Sequence, residues 1–468
     1  MIRVLVFLLV AVVGGLSIAA AVSYAGHWVV FMLFTLTANA LLFNGFRRSA
    51  LFFDTFIGVF FWLGFWLKTS VRVAFANGMF AEPVGAFNGS AGAFDQALLV
   101  SSSGFVALLV ASLVRERLFV YPDRPATCSE SGIFRLYRAY RKSLVLGFLL
   151  IVVLAASSNV WLGIYQRGMV AQTVLPFGLN GVYKWLLQFG FASISALIIR
   201  FEIEINRNLS LMAVVPPILE SLFSNVSLLS RGMVLNSSAL AVGGLRLLGA
   251  MKCRVPLVRF IIAGTVFVVL FVASVFAVNY LRASWVIEVD TSTSISMVPE
   301  MTSPLFMDRW VGIEGVMAVS SSDKLGWSLW REAWQEKFRA GELSLYDRYF
   351  IDSPYTHPAI DKTKNHFVSL PGIIAFLYYL GSLPFLFFAL LGFGLVAAAF
   401  EIATYRYCGE NWILCSLFAQ VVAFRYASFG YVPSQSYLLF GTLLLNVLII
   451  FTVDRALNRF FSWQSRTA

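Results

Sequence analysis

Apolar residues run through this chain in long blocks separated by short polar breaks. Twelve such runs lie near 4–23, 28–45, 51–67, 96–114, 144–163, 183–200, 208–229, 233–250, 259–280, 373–401, 412–430 and 435–453. A helix of about 20 apolar residues crosses a hydrocarbon core ~30 Å thick, so the pattern predicts twelve membrane-spanning helices. The alternating strands of about ten residues that mark a transmembrane barrel are absent. Only Arg3 precedes the first run, which is longer than the core of a cleaved signal and reads as a span. The run 373–401 is long for one span, and Pro384 is expected to split it into a short interfacial piece and a true span.

Basic residues orient these spans. Arg47-Arg48, the block 115–142, Arg200 with Arg207, Lys252 with Arg254, Arg406, and the tail Arg455, Arg459 and Arg466 all alternate onto one side. By the positive-inside rule that side is cytoplasmic, with both termini in the cytosol. Two sizeable loops, 68–95 and 281–372, then face outward. The chain thus divides into a bundle over 1–280, a large outer loop over 281–372, and C-terminal spans over 373–468.

Composition supports the same class. Hydrophobic residues make up 59% of the 468 positions and charged residues 13%, against about 25% charged in a soluble domain. The net charge is +11; the outer loop carries 9 Lys+Arg and 12 Asp+Glu, or −3, which leaves +14 (11 + 3) elsewhere. That excess reflects topology and anionic headgroups, and it does not point to nucleic acid. Cys128, Cys253, Cys408 and Cys415 show neither metal-ligand spacing nor a disulfide framework. Within the outer loop, KLGWSLWREAWQEKFRAG sets Trp327, Trp330, Trp334 and Phe338 at helical spacing. This predicts an amphipathic helix, lying either on the outer leaflet or on the protein's own outer surface.

Ionisable groups at membrane depth are costly and therefore candidates for function. In PPILESLFSNVSLLSRG, Glu220 lies near mid-span and Arg231 near the outer end, eleven residues and about 16 Å along the helix. Glu220 either hydrogen-bonds a neighbouring helix or lines a substrate cavity, and Pro216-Pro217 are expected to bend or interrupt the helix below it. Arg425 either snorkels to the interface or points into a cavity beside Tyr426 and Tyr431. Lys68, Arg72, Arg167 and Lys184 each read alone as interfacial anchors. Together, outward arginines suit a phosphate or pyrophosphate, because guanidinium groups bind its oxygens bidentately and stay charged.

His366 precedes the re-entry at Pro371 and is either a general base near the mouth or a hydrogen-bonded surface histidine. In PLFMDRWVGIEGVMAVSSS, Asp308 or Glu314 offers a proton acceptor and Arg309 an anion site. The competing reading of that segment is a local fold, with Asp308 as a helix cap, Arg309 in an ion pair, and Gly312 and Gly315 allowing close packing.

The segment DRWVGIEGVMAVSS, the span ESLFSNVSLLSRG, the re-entry FVSLPGIIAFLYYLGSL and the topology resemble the Wzy-type polymerases of bacterial surface polysaccharide (O-antigen) assembly. The resemblance implies an all-α polytopic fold, a GT-C-like bundle of about 12 transmembrane helices with a large periplasmic loop, in the bacterial inner membrane. It implies a lipid-linked glycosyltransferase acting on the periplasmic face without metal, cofactor or nucleotide sugar. Donor and acceptor would be undecaprenyl-pyrophosphate-linked repeat units, and membrane lipids and a chain-length regulator the further partners. Arg231, Arg309, Arg425, Arg167 and Arg72 would bind pyrophosphate, and Glu314, Glu220, His366 or Asp308 would serve as base. Two other readings stay open. One is the related O-antigen ligase, transferring glycan to lipid A-core. The other is a flippase for lipid-linked oligosaccharide, which would spread polar groups down to the cytoplasmic side, whereas Asp54 and Glu220 are the chief acids at depth.

Overall fold

A segment that cannot reach water must satisfy its own backbone, and a helix does so within one run of chain. The computed structural model describes residues 2–128, 131–230, 232, 234–253, 257–286, 310–337, 339, 341–353, 356, 364, 366 and 368–467. Among the described residues the regular structure is helical and there is no strand.

All twelve apolar runs are helical. They form α1 (Ile2–Ser23), α2 (Trp28–Gly45), α3 (Phe52–Phe61) continued by a π-turn (Trp62–Leu67) into α4 (Lys68–Phe75), α5 (Ala91–Glu116) and α6 (Gly132–Leu162). Next come α7 (Leu179–Trp185), continued by a second π-turn (Leu186–Gly190) into α8 (Phe191–Asn206), then α9 (Leu211–Ser227), α10 (Val234–Ala250) and α11 (Leu257–Val286). Three short helices follow: α12 (Ile313–Ser320), α13 (Trp327–Trp334) and α14 (Leu345–Tyr349). Last are α15 (Ile373–Leu377), α16 (Leu383–Tyr407), α17 (Trp412–Ala427) and α18 (Ser436–Thr467). Among the described residues, eight helical stretches are long and apolar enough to cross a membrane, and four further apolar helices are shorter.

Three expectations change. The third run does not end at Leu67; it passes through the π-turn to Phe75, so Lys68 lies inside the bundle. Of the two outcomes expected at Pro216 and Pro217, a bend or an interruption, the interruption does not occur, and α9 runs from Leu211 to Ser227. The run 373–401 does divide, at Gly381 in the left-handed conformation with Pro384 in the first turn of α16. Its short first part, however, is buried rather than interfacial.

A large core joins α2, α3, α5, α10, α16 and α17, while α6, α8 and α9 enclose a second around Phe148, Phe191 and Phe201. At the end that bears the basic loops, buried charges are matched by several donors each. Asp54 pairs with Arg115 and accepts from the Leu51 N–H at 3.0 Å, and Arg115 also donates to the Ser49 carbonyl at 2.8 Å. Glu401 accepts from the Phe52 and Phe53 N–H groups at 2.9 and 2.8 Å and from the Tyr121 hydroxyl at 2.7 Å. Those two amides open α3, where a helix has unsatisfied donors and a positive dipole end. Glu202 accepts both Arg141 contacts at 2.5 Å, the Tyr137 hydroxyl at 2.8 Å and the Ser210 hydroxyl at 2.6 Å. Glu401 and Glu202 are thus buried acids that hydropathy alone passes over.

The described part of the segment between α11 and α15 folds into the bundle. Every residue of α12 is buried, against α5 and α15. Glycine permits this approach, since a Cβ at Gly312 would sit 2.1 Å from the Gly64 carbonyl oxygen and one at Gly315 would sit 2.0 Å from that of Pro371. Beside the crossing, the Lys68 ammonium donates to the Trp310 carbonyl at 2.6 Å and pairs with Glu314 at 2.9 Å, both side chains being almost wholly buried.

Gly312→Ala is expected to lower stability by ~1–3 kcal/mol, because the opposing atom is backbone and cannot rotate away. Gly147→Ala, with nothing within 4 Å, is the matched control. Thermal unfolding in detergent that treats both variants alike would refute the close crossing. Lys68→Met strands a buried carboxylate and is expected to cost ~3–5 kcal/mol. Lys68→Met/Glu314→Leu should recover much of that loss in the same assay; no recovery would mean the pair is not isolated.

Candidate functional site

At the end opposite the basic loops, four pieces of chain far apart in sequence are tied together by backbone hydrogen bonds. The Arg167 N–H donates to the Leu228 carbonyl at 2.9 Å, the His366 N–H to that of Gly168 at 3.0 Å, and the Val170 N–H to that of Lys364 at 2.8 Å. The Gly372 N–H reaches the Phe429 carbonyl at 2.9 Å. The turns after α6 and α9, the 364–372 stretch and the turn after α17 therefore form one mouth. Two residues there hold the left-handed backbone without being glycine: Leu229 at φ 48° and the β-branched Val432 at φ 47°. Such strain persists only where the surroundings over-determine it, and it concentrates at functional sites.

Side chains meet across this frame. His366 Nε2 lies 2.7 Å from the Tyr431 hydroxyl. Arg167 is half-buried, and a Cβ on Gly232 would lie 3.4 Å from its Nη1 and 3.7 Å from the Phe424 ring. Arg425 follows Phe424 and is exposed on the last turn of α17. Asp347, buried at the start of α14, accepts from the Ser344 hydroxyl at 2.5 Å and from the Ser369 N–H at 3.3 Å, and its Oδ1 has no donor among the described residues. Burial pushes the His366 imidazole below its usual range, and the Asp347 charge opposes that shift.

Of the expected site residues, Arg167 and His366 come together at the mouth and Arg425 flanks it. Arg231, Arg309 and Asp308 lie outside the described residues. Glu314 lies beneath the mouth as the buried counter-ion of Lys68, which removes it from the candidate bases: an ammonium occupies its oxygens and solvent does not reach it. Glu220 is buried within the bundle and accepts only from Ser224, at 2.9 Å. Arg72 is half-buried on the last turn of α4, where its carbonyl accepts from Ala76 and Gly78.

Asp347 is not singled out by the sequence, and Tyr431 only as a neighbour of Arg425 beside a possible cavity. Ser344-x-x-Asp347 is a helix-start pattern and a usable signal; the Tyr431 contact spans 65 positions and has none.

An aromatic face adjoins the mouth. The Trp-rich segment forms α13 over Trp327–Trp334, and Phe338 lies outside the described residues. Trp330 packs on Phe376 and Phe385 with ring centroids 4.9 and 5.3 Å apart, and the Gly326 N–H donates to the Tyr379 carbonyl at 2.9 Å. Trp327 and Trp334 stay exposed and, with Trp330, Arg331 and Gln335, line a shallow depression of about 360 Å³. No family model, curated protein or solved structure matches the chain.

Burial favours the neutral His366 ring, so its contribution to stability is present above pH ~6.5, the unfolded value. It is lost as pH falls through the lower folded value, with a slope of at most ~1.4 kcal/mol per pH unit. His366→Asn should flatten the acid limb of a plot of thermal midpoint against pH. An unchanged limb would show that another group titrates.

Proposed function

We propose that this chain is a lipid-linked glycosyltransferase of the bacterial cytoplasmic membrane, with twelve spans, both termini in the cytosol and the mouth on the outer face. It joins undecaprenyl-pyrophosphate-linked repeat units into a surface polysaccharide. The observation that carries the reading is the convergence of Arg167, His366 and Tyr431, flanked by Arg425, at the end opposite the basic loops. Cations there suit a departing pyrophosphate, whose charge grows in the transition state. A histidine with a neutral ring suits removal of a proton near neutral pH. The exposed indoles of Trp327 and Trp334 beside Arg331 offer flat faces to the sugars or lipid of an arriving unit.

In this reading an acceptor hydroxyl oxygen forms a bond to the donor's anomeric carbon while the bond from that carbon to the pyrophosphate oxygen breaks. The hydroxyl proton passes to His366, and Arg167 and Arg425 hold the diphosphate that leaves with the electron pair. Glu220 and Glu314 take no part.

Reconstitution with a purified lipid-linked repeat unit should yield a ladder of chain lengths on a gel. Arg167→Ala should reduce the rate by ~10²–10³ and His366→Ala by ~10²–10⁴, with expression unchanged. Arg167→Lys should restore only part of the loss, since an ammonium lacks the bidentate fork. No ladder from the wild type rejects the polymerase reading, and transfer of finished glycan to lipid A-core would identify the ligase instead. Full activity in both alanine variants would put the site elsewhere.

A further inference from the structure

Among the acids buried inside the bundle, one is treated unlike the others. Asp54 has Arg115, Glu202 has Arg141, Glu314 has Lys68, and Glu401 has two helix-opening amides and a phenol. Glu220, only 1% exposed, has the Ser224 hydroxyl on Oε1 and, among the described residues, no partner on Oε2. No ion pair among the described residues includes it.

The helices packed on α9 are α6, α8, α10 and α11, and their ionisable groups lie at other levels. Ser227 donates to the Ala156 carbonyl, so seven residues earlier Glu220 stands level with residue 149 of α6. On that helix Arg135, Tyr137, Arg138, Tyr140, Arg141 and Lys142 all fall in its first eleven residues, with Lys142 about 10 Å below. On α8, Arg200, Glu202 and Glu204 fall in the last seven residues. Ser210, ten residues before Glu220, bonds Glu202, which puts Glu202 about 15 Å away. Arg246 of α10 lies over the rings of Phe52, Tyr121 and Trp412 at 4.9, 5.0 and 5.6 Å, in the other core. On α11, Asn225 bonds Ser274; Tyr280 and Arg282 lie six and eight residues beyond it and Arg259 fifteen before. Arg231 lies outside the described residues.

A carboxylate in such surroundings has one weak donor for its charge, whereas the un-ionised acid needs none on Oε2. We propose that Glu220 is a proton-binding site within the bundle, occupied in the resting protein, so that α9 carries a neutral acid at this depth. The ligand is the proton, bound to Oε2. This stands apart from the transferase reading, in which Glu220 has no role. It gives the chain a group able to exchange a proton with either side when α9 moves.

Infrared spectroscopy of protein carrying isotope-labelled glutamate, in nanodiscs near neutral pH, tests this directly. The C=O stretch of an un-ionised glutamic acid is expected in the wild type, lost reversibly as pH is raised. It should be absent in Glu220→Gln and kept in Glu401→Gln. Ser224→Ala should move the band to higher frequency, because one hydrogen bond to the group is removed, without abolishing it. A wild type with no such band overturns the proposal whether or not the variants fold, and so does a band that Glu220→Gln leaves intact.

Discussion

The Lys68–Glu314 pair is the interaction on which the mouth depends. A buried ammonium is tolerable only if its charge and its hydrogens are both taken up, and here Glu314 and the Trp310 carbonyl do so together. That fixes where residues 310–320 enter the bundle. Their position fixes Pro371 through the contact at Gly315, and the following residue, Gly372, is bonded to Phe429. His366 and Tyr431 stand on the two ends of that sequence of contacts. The pair's net worth in energy is small, since desolvation offsets most of the attraction; its effect is to select one seating for a segment whose apolar residues alone would accept several.

Hydropathy made the helices legible because lipid-crossing segments advertise themselves by length. Pro384 and Gly381 announced a break for steric reasons that hold anywhere. The polar look of Glu314 misleads for a physical reason. A one-dimensional reading treats Asp, Arg and Glu as signs of solvent, yet Glu314 is polar because it faces a buried lysine 246 positions away. Lys68 was read as an interfacial anchor on the same ground, and a pairing over that distance leaves no trace in one sequence. Glu202 and Glu401 were passed over because each sits at the end of a run, where an acid looks like a boundary.

The mouth was half legible. Basic residues away from the basic loops drew attention to this end of the bundle, and His366 stood out by its place before Pro371. Which of those groups meet could not follow from spacing, because the frame is built from four backbone hydrogen bonds between separate turns. Their geometry also rests on the strained turns at Leu229 and Val432, whose side chains give no warning of a left-handed backbone.

The π-turn at Trp62–Leu67 has a further consequence. A π-turn takes up one residue more than the α-helical turn it replaces, and so absorbs an extra residue that in regular helix would rotate everything after it by about 100° about the axis. Lys68 begins directly after that turn. The wide turn thus lets the helix continue with the ammonium facing Glu314. A one-residue insertion or deletion in the regular helix before it, with no such turn to absorb the change, would swing that ammonium about a quarter-turn away.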